Sequence, residues 1–167
     1  MSYMKDKEYK KIVKTIIRDI NFKKMYNIEH HGISRWEHLI KISYHSYVIA
    51  KKLNMDYKSV ARGALLHDFY LDGDERSKKK KFLDTFSHPK KALATSMEHF
   101  DINDIEQNII VSHMFPIYLS LPKYKESVLV NIVDKCIGSV ELIREYHYKF
   151  RYRFNFILVF MFLMINL

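Results

Sequence analysis

An all-α bundle of five to seven helices is the fold class the sequence predicts, and two observations predict it. Only 4 Gly and 3 Pro occur in 167 residues, against an average near 12% for the pair, so the turns demanded by a sandwich or barrel of many short strands are missing. Apolar residues instead recur every three or four positions along most of the chain, the period of a helix with one buried face. The length suits a single domain, 1–167, with one core. One cysteine, Cys136, excludes an internal disulfide and an all-thiolate zinc site. The chain opens without an apolar run of the secretory kind, and the expected location is cytoplasmic.

The elements follow in order. Residues 7–20 carry Ile12, Val13, Ile16, Ile17 and Ile20 among lysines, a surface helix with one apolar face. After a loop over 29–34, a helix over 36–53 repeats Leu39, Ile42, Ser46, Ile49, Ala50 and Leu53, with His38 and His45 seven apart on one side. A short helix over 59–67 carries Val60, Ala61, Ala64 and Leu65 and breaks into the turn-rich stretch 68–73, which leaves His67 and Asp68 at a helix end. Four lysines at 78–81 repel one another, so 74–81 reads as a solvated loop. Pro89 suits the first position of a helix, which puts His88 at its start and Ala92, Leu93, Ser96, Met97 and Phe100 on its inner face. Asn103 or Asp101 caps a helix over 104–113, with Ile105, Ile109 and Ile110 inward, His113 at its end and Pro116 preventing continuation.

A long helix over 124–148 places Leu129, Ile132, Val133, Cys136, Ile137 and Val140 inside and holds Asp134. Beyond it, 156–165 is ten consecutive apolar residues. A spanning helix needs about 20, so no stable membrane span is expected. The stretch 150–167 reads as an apolar helix or tail used for core packing or a homodimer contact, with a membrane-surface tail as the alternative. The chain shows no internal repeat and no linker.

Six residues stand out as one constellation: His38, His67, Asp68, His88, His113 and Asp134. The steps from His38 to His67, Asp68 to His88, His88 to His113 and His113 to Asp134 are 29, 20, 25 and 21 residues. Each step allows a helix and a return loop, so antiparallel packing can bring them to a common point. Neutral imidazoles with carboxylates suit iron, manganese, zinc, cobalt or nickel, whereas magnesium and calcium prefer oxygen alone. One or two such divalent ions are expected. A carboxylate can bridge two of them, which makes Asp68 the natural shared ligand, with His38, His67 and Asp134 on one ion and His88 and His113 on the other.

The local contexts Arg35-Trp36-Glu37-His38, Ala64-Leu65-Leu66-His67-Asp68, Ser87-His88-Pro89, Val111-Ser112-His113-Met114 and Val133-Asp134-Lys135, taken in order, resemble the HD superfamily of metal-dependent phosphohydrolases. That family is named for a doublet standing here as His67-Asp68, and the resemblance spans about 30–141. The chain lacks the HD-GYP motif, and Phe69-Tyr70-Leu71 stands where many hydrolases carry a lysine. The resemblance implies an HD-type helical bundle with the site at helix ends. It implies His38, His67, Asp68 and Asp134 as metal ligands, with His88 and His113 as the extra ligands of dinuclear members. It further implies a phosphohydrolase, with Asp68 among its catalytic residues. The substrate class it implies is small, phosphorylated and nucleotide-like: a phosphomonoester, phosphodiester or dinucleoside polyphosphate, cleaved by metal-activated water.

Arg35, Lys91 and Lys135, close to ligands in sequence, are candidate phosphate clamps, since cationic donors match the charge of a phosphoryl transition state. Two other readings use the same residues: a ligand-binding or signalling module on the HD scaffold without turnover, and a di-iron oxygenase of the inositol oxygenase type. The net charge of +9 predicts attraction to phosphates. The bases are scattered and form no recognised nucleic-acid module, so the expected partner is a small phosphorylated substrate and no nucleic acid. His30 and His31 read as a polar turn, with a ligand or substrate contact as the second reading. His45 reads as packed or as supporting a ligand, and His99 and His147 as surface residues. Glu37 and Glu141 read as solvated, although Glu141, seven residues after Asp134, is placed where an acceptor could orient a ligand histidine.

Overall fold

Five helices begin where the sequence supplies a side chain to receive the first free backbone N–H groups. Asp6 accepts from the Tyr9 N–H at 2.9 Å and opens α1 (Lys7–Arg18). Asp19 does the same for α2 (Ile20–Lys23), which passes through a 3-10 turn (Lys24–Asn27) into an antiparallel pair of two-residue strands, β1 (Glu29–His30) and β2 (Ile33–Ser34). Glu29 pairs with Ser34 and His30 with Ile33. Ser34 caps α3 (Arg35–Lys52) through the Glu37 N–H, and Asp56 caps α4 (Tyr57–Leu66) through the Ser59 N–H. After α5 (Lys78–His99), Asn103 and Glu106 cap each other's backbone at the start of α6 (Asp104–Ser112). The last helix, α7 (Lys125–Ile165), is 41 residues long. The computed structural model describes the backbone of residues 5–30, 32–71 and 78–165, and the side chains of 5–29, 32–71 and 87–151.

The architecture is the all-α bundle expected, with seven helices among the described residues, α2 being a single turn. Two apolar clusters hold it. In the first, Val13 and Ile16 of α1 pack against Leu39, Leu65, Leu66 and Phe69, each contributing about 1.5–3 kcal/mol by leaving water. In the second, Ile42, Ala64, Ile109, Val130 and Val133 join α3, α4, α6 and α7. A polar chain crosses the first cluster: the Tyr9 hydroxyl donates to Ser43 Oγ at 2.8 Å, and the Ser43 hydroxyl to the Ala61 carbonyl at 2.6 Å. No hydroxyl in that chain is buried unpaired. The hairpin turn needs Gly32, whose φ of 78° is left-handed and whose missing Cβ would lie 3.2 Å from Glu145 Cγ on α7.

Several expectations are corrected. Lys78 onward is helical, not loop, because lysine is a good helix former and repulsion between solvated neighbours costs only a few tenths of a kcal/mol per pair; 72–77 lie outside the described residues. Pro89 is therefore inside α5 and His88 is mid-helix, not at a start; the buried proline gives up one backbone hydrogen bond. Met97 is exposed, as are Ile49 and Leu53 at the end of α3. Ile20 lies past α1 and is exposed.

On α7, Ile132, Cys136 and Val140 face out, not in. The inner face instead carries Val130, Asn131, Val133, Ile137 and Glu141 with Asp134. Polar residues on that face disguise it, and a second apolar stripe on the outside mimics a core face. The helix continues through the apolar run to Ile165, and the expected packing of that run lies outside the described side chains.

Two glycines give opposite expectations. A Cβ on Gly63 of α4 would meet Ile109 Cδ1 at 2.9 Å, Ile109 Cβ at 3.1 Å and Glu106 Cα at 3.2 Å on α6, whereas one on Gly138 of α7 meets nothing within 4 Å. Gly63→Ala is expected to lower stability by about 1 kcal/mol, since overpacking outweighs the gain in helix propensity. Gly138→Ala is expected to raise it by about 0.5–1 kcal/mol. Urea midpoints of the two variants moving in the same direction would refute the packing assigned to α4 and α6.

Candidate metal centre

The six residues come from five helices or their ends, and all but Asp134 are buried. His38 is four residues into α3. His67 and His113 are the C-cap residues of α4 and α6, so each sits where the chain is about to turn. Asp68 follows His67, while His88 comes from the middle of α5 and Asp134 from the third turn of α7.

The structure brings all six together. His38 Nε2 and His67 Nε2 lie 3.5 and 3.6 Å from Asp134 Oδ1. His88 Nε2 and His113 Nε2 lie 3.3 and 3.4 Å from Asp68 Oδ1, and 3.0 Å from each other. Ligand atoms of His38, His67 and Asp134 fall within 4.8 Å of one another, and so do those of His67, Asp68 and His113.

The far side of three rings fixes which nitrogen faces inward. His67 Nδ1 donates to the Ala64 carbonyl at 2.8 Å, His113 Nδ1 to the Ile110 carbonyl at 2.7 Å, and His38 Nδ1 to Glu141 Oε2 at 2.7 Å. These partners only accept, so each Nδ1 holds the proton, and in the neutral ring Nε2 is a lone pair. Those lone pairs point at carboxylate oxygens. His67 Nε2 and Asp68 Oδ1 are fully buried without a hydrogen-bond partner. Converging lone pairs repel unless positive charge lies between them, as protons or as a cation. The donor set therefore fits a first-row metal ion, with imidazole nitrogens and carboxylates on one side and the Nδ1 acceptors orienting the rings on the other.

Without an ion, the carboxylates favour protons on two of the rings, His38 and His113. Burial disfavours the charged form of His38, but the Asp134 and Glu141 carboxylates outweigh it and push its pKa from 6.5 up to about 9. His113 is raised in the same way, with Asp68 overcoming its burial. Asp68, although buried, and the half-buried Asp134 are held well below the usual carboxylate range by the surrounding histidines.

Neighbouring residues brace the centre. Glu141, 4% exposed, also accepts from Lys41 Nζ at 3.2 Å, and Lys41 pairs with Glu37 at 3.0 Å. The Asn131 amide donates to the carbonyls of Ser112, His113 and Phe115 at 3.1, 2.6 and 2.9 Å, pinning the end of α6. Lys135 Nζ reaches the His113 carbonyl at 3.1 Å, and partial burial lowers its pKa. Arg35 is buried with its guanidinium 4.2 Å over the Tyr70 ring; it donates to the Tyr70 carbonyl and hydroxyl, both at 3.1 Å. Tyr70 in turn stacks on His88, with ring centroids 5.6 Å apart. Arg35 thus meets the cluster through Tyr70, and Lys91 is exposed on α5 three residues after His88.

Asn131 and Tyr70 stand beside candidate ligands in the sequence, which assigns neither of them a role. Asn131 carried a signal, lying one helical turn before Asp134. His45 is exposed and not packed, and His99 is half-buried against Phe69 at 5.9 Å. The side chains of His30 and His31 lie outside the described residues. No protein-family model, curated protein or solved structure matches the chain.

The proton-filled state has a pH signature. His38 is raised on folding, so its contribution is complete below about 6.5 and lost as pH rises through about 9. The aspartates are depressed, so theirs is present above 3.8 and lost only in acid. With chelator present, the thermal midpoint is expected to fall between pH 6.5 and 9, and Glu141→Gln is expected to shrink that fall. A midpoint flat across this window would contradict the protonated His38.

Proposed function

We propose that this chain is a metal-dependent phosphohydrolase of the HD type, acting on a small phosphorylated, nucleotide-like substrate. The observation that carries the reading is the convergence of imidazole Nε2 atoms on the carboxylates of buried Asp68 and half-buried Asp134, with His67 Nε2 and Asp68 Oδ1 lacking a hydrogen-bond partner. A buried polar atom without a partner costs about 1–3 kcal/mol, a cost retained where the atom has another use. His38, His67 and Asp134 would hold one ion and His88 and His113 a second, with Asp68 between them. When bound, first-row ions supply a water of lowered pKa and neutralise charge on phosphoryl oxygens.

The chain's own residues do the positioning. Ala64, Ile110 and Glu141 hold three rings in the tautomer that turns Nε2 inward. Asn131 keeps the His113 carbonyl, and with it the end of α6, fixed against α7. Lys135, next to Asp134 and half-buried, is the cation best placed on α7 to meet a phosphoryl oxygen. Arg35 aligns Tyr70 against His88, so its clamp role passes through Tyr70 unless substrate displaces it.

Elemental analysis of protein purified without chelator is expected to give one to two first-row ions per chain, and Asp68→Ala to lose most of them. The loaded protein is expected to release phosphate or a nucleoside monophosphate from a panel of phosphomonoesters, phosphodiesters and dinucleoside polyphosphates. Lys135→Ala is expected to keep the metal and raise KM or lower kcat. A folded chain that neither carries nor takes up metal refutes the proposal. Tight nucleotide binding without turnover would replace it with a binding module, and oxygen-dependent consumption of a polyol with an oxygenase.

A further inference from the structure

Helix α7 has two faces of different character. Its inner face carries Val130, Val133, Ile137 and Glu141 into the bundle. On the opposite side Val128, Ile132, Val140, Leu142, Ile143, Tyr146 and Phe150 are 43%, 54%, 47%, 53%, 57%, 73% and 62% exposed. At 100° per residue these seven fall within about 160° of arc and run for roughly 33 Å along the axis. Apolar surface of that extent marks an interaction face.

Charge says what covers it. All four acidic residues of the described α7 turn away from solvent or are paired: Glu126 and Glu141 are buried, Asp134 joins the histidines, and Glu145 pairs with Lys149. The exposed charges on this helix are cations, Lys125, Arg144, Lys149 and Arg151. Arg144 and Arg151 flank the stripe on one side, and Lys149, paired with Glu145, lies on the other. A second copy laid on this face would bring cation against cation. An apolar stripe with exposed tyrosine and phenylalanine beside the Arg144 and Arg151 margin matches instead a bilayer with anionic headgroups, where apolar side chains enter the acyl boundary and bases meet phosphate or carboxylate. The sequence that follows, 156–165, is uniformly apolar, which suits the same neighbour.

We propose that the outer face of α7 docks on an anionic membrane surface, with the helix lying along it and the histidine–aspartate cluster turned away. Flotation of the full chain with vesicles of phosphatidylcholine plus phosphatidylserine, and with phosphatidylcholine alone, tests this at low and high salt. Expected is recovery with the anionic vesicles on the order of tenfold above the neutral ones, diminished by salt. Ile143→Glu/Tyr146→Glu should abolish it, and Arg144→Glu/Arg151→Glu should reduce recovery to the neutral-vesicle value, with circular dichroism and thermal midpoint unchanged. Absence of flotation, flotation insensitive to both double variants, or equal recovery on neutral vesicles overturns the proposal. So does a wild-type dimer in sedimentation velocity that Ile143→Glu/Tyr146→Glu makes monomeric while vesicle binding is nil, which would assign the face to a second copy.

Discussion

Two carboxylates inside a helical bundle require positive charge beside them, and most of the arrangement of this protein can be traced to that requirement. Asp68 and Asp134 lie 3.3–3.6 Å from imidazole nitrogens of four histidines drawn from α3, α4, α5 and α6. Removing an ionised carboxylate from water costs several kcal/mol unless opposite charge and hydrogen bonds compensate. Protons on the rings of His38 and His113 answer that demand, and under the proposed function a bound cation would answer it instead. Three of the four rings, those of His38, His67 and His113, are already held from behind.

That holding is achieved twice by one local device. His67 and His113 each end a helix and each donates Nδ1–H to the carbonyl three residues earlier, Ala64 or Ile110. A helix end leaves carbonyls without intrahelical partners, so the ring satisfies a backbone group and acquires a fixed tautomer in one contact. His38, near a helix start, pairs its Nδ1 with Glu141 from α7 instead. The Asn131 amide then ties the second of the two helix ends to that same helix, and α7 becomes the strut against which the cluster is set.

What was legible in the sequence follows from where the physics is local. The all-α class, the Asn103 cap and the placing of His67 and His113 at helix ends depend on periodicity and near neighbours, and the structure shows each of them. The proximity of the six residues was legible too, because the spacing between them matches helices packed side by side. The orientation of α7 was not. Its inner face must carry Asn131, Asp134 and Glu141, so the face that looks most like core is the outer one, and Ile132 and Val140 mislead. Pro89 misled for another reason: the helix already runs from Lys78, and a rule about first positions does not weigh the helix-forming residues that precede the proline. The partner of Arg35 was invisible because the Tyr70 ring comes from a segment 35 residues away.

Because one rigid helix presents Asp134 on one side and the exposed stripe on the other, the two are geared together. A carboxylate oxygen stands about 5 Å from the helix axis, so a roll of about 10° carries it roughly 1 Å along the circumference. The contacts of Asp134 with His38 and His67, at 3.5 and 3.6 Å, leave little slack for such a turn. Torque applied to the outside of α7 is thus delivered to a carboxylate of the histidine cluster, and the helix acts as an axle between them.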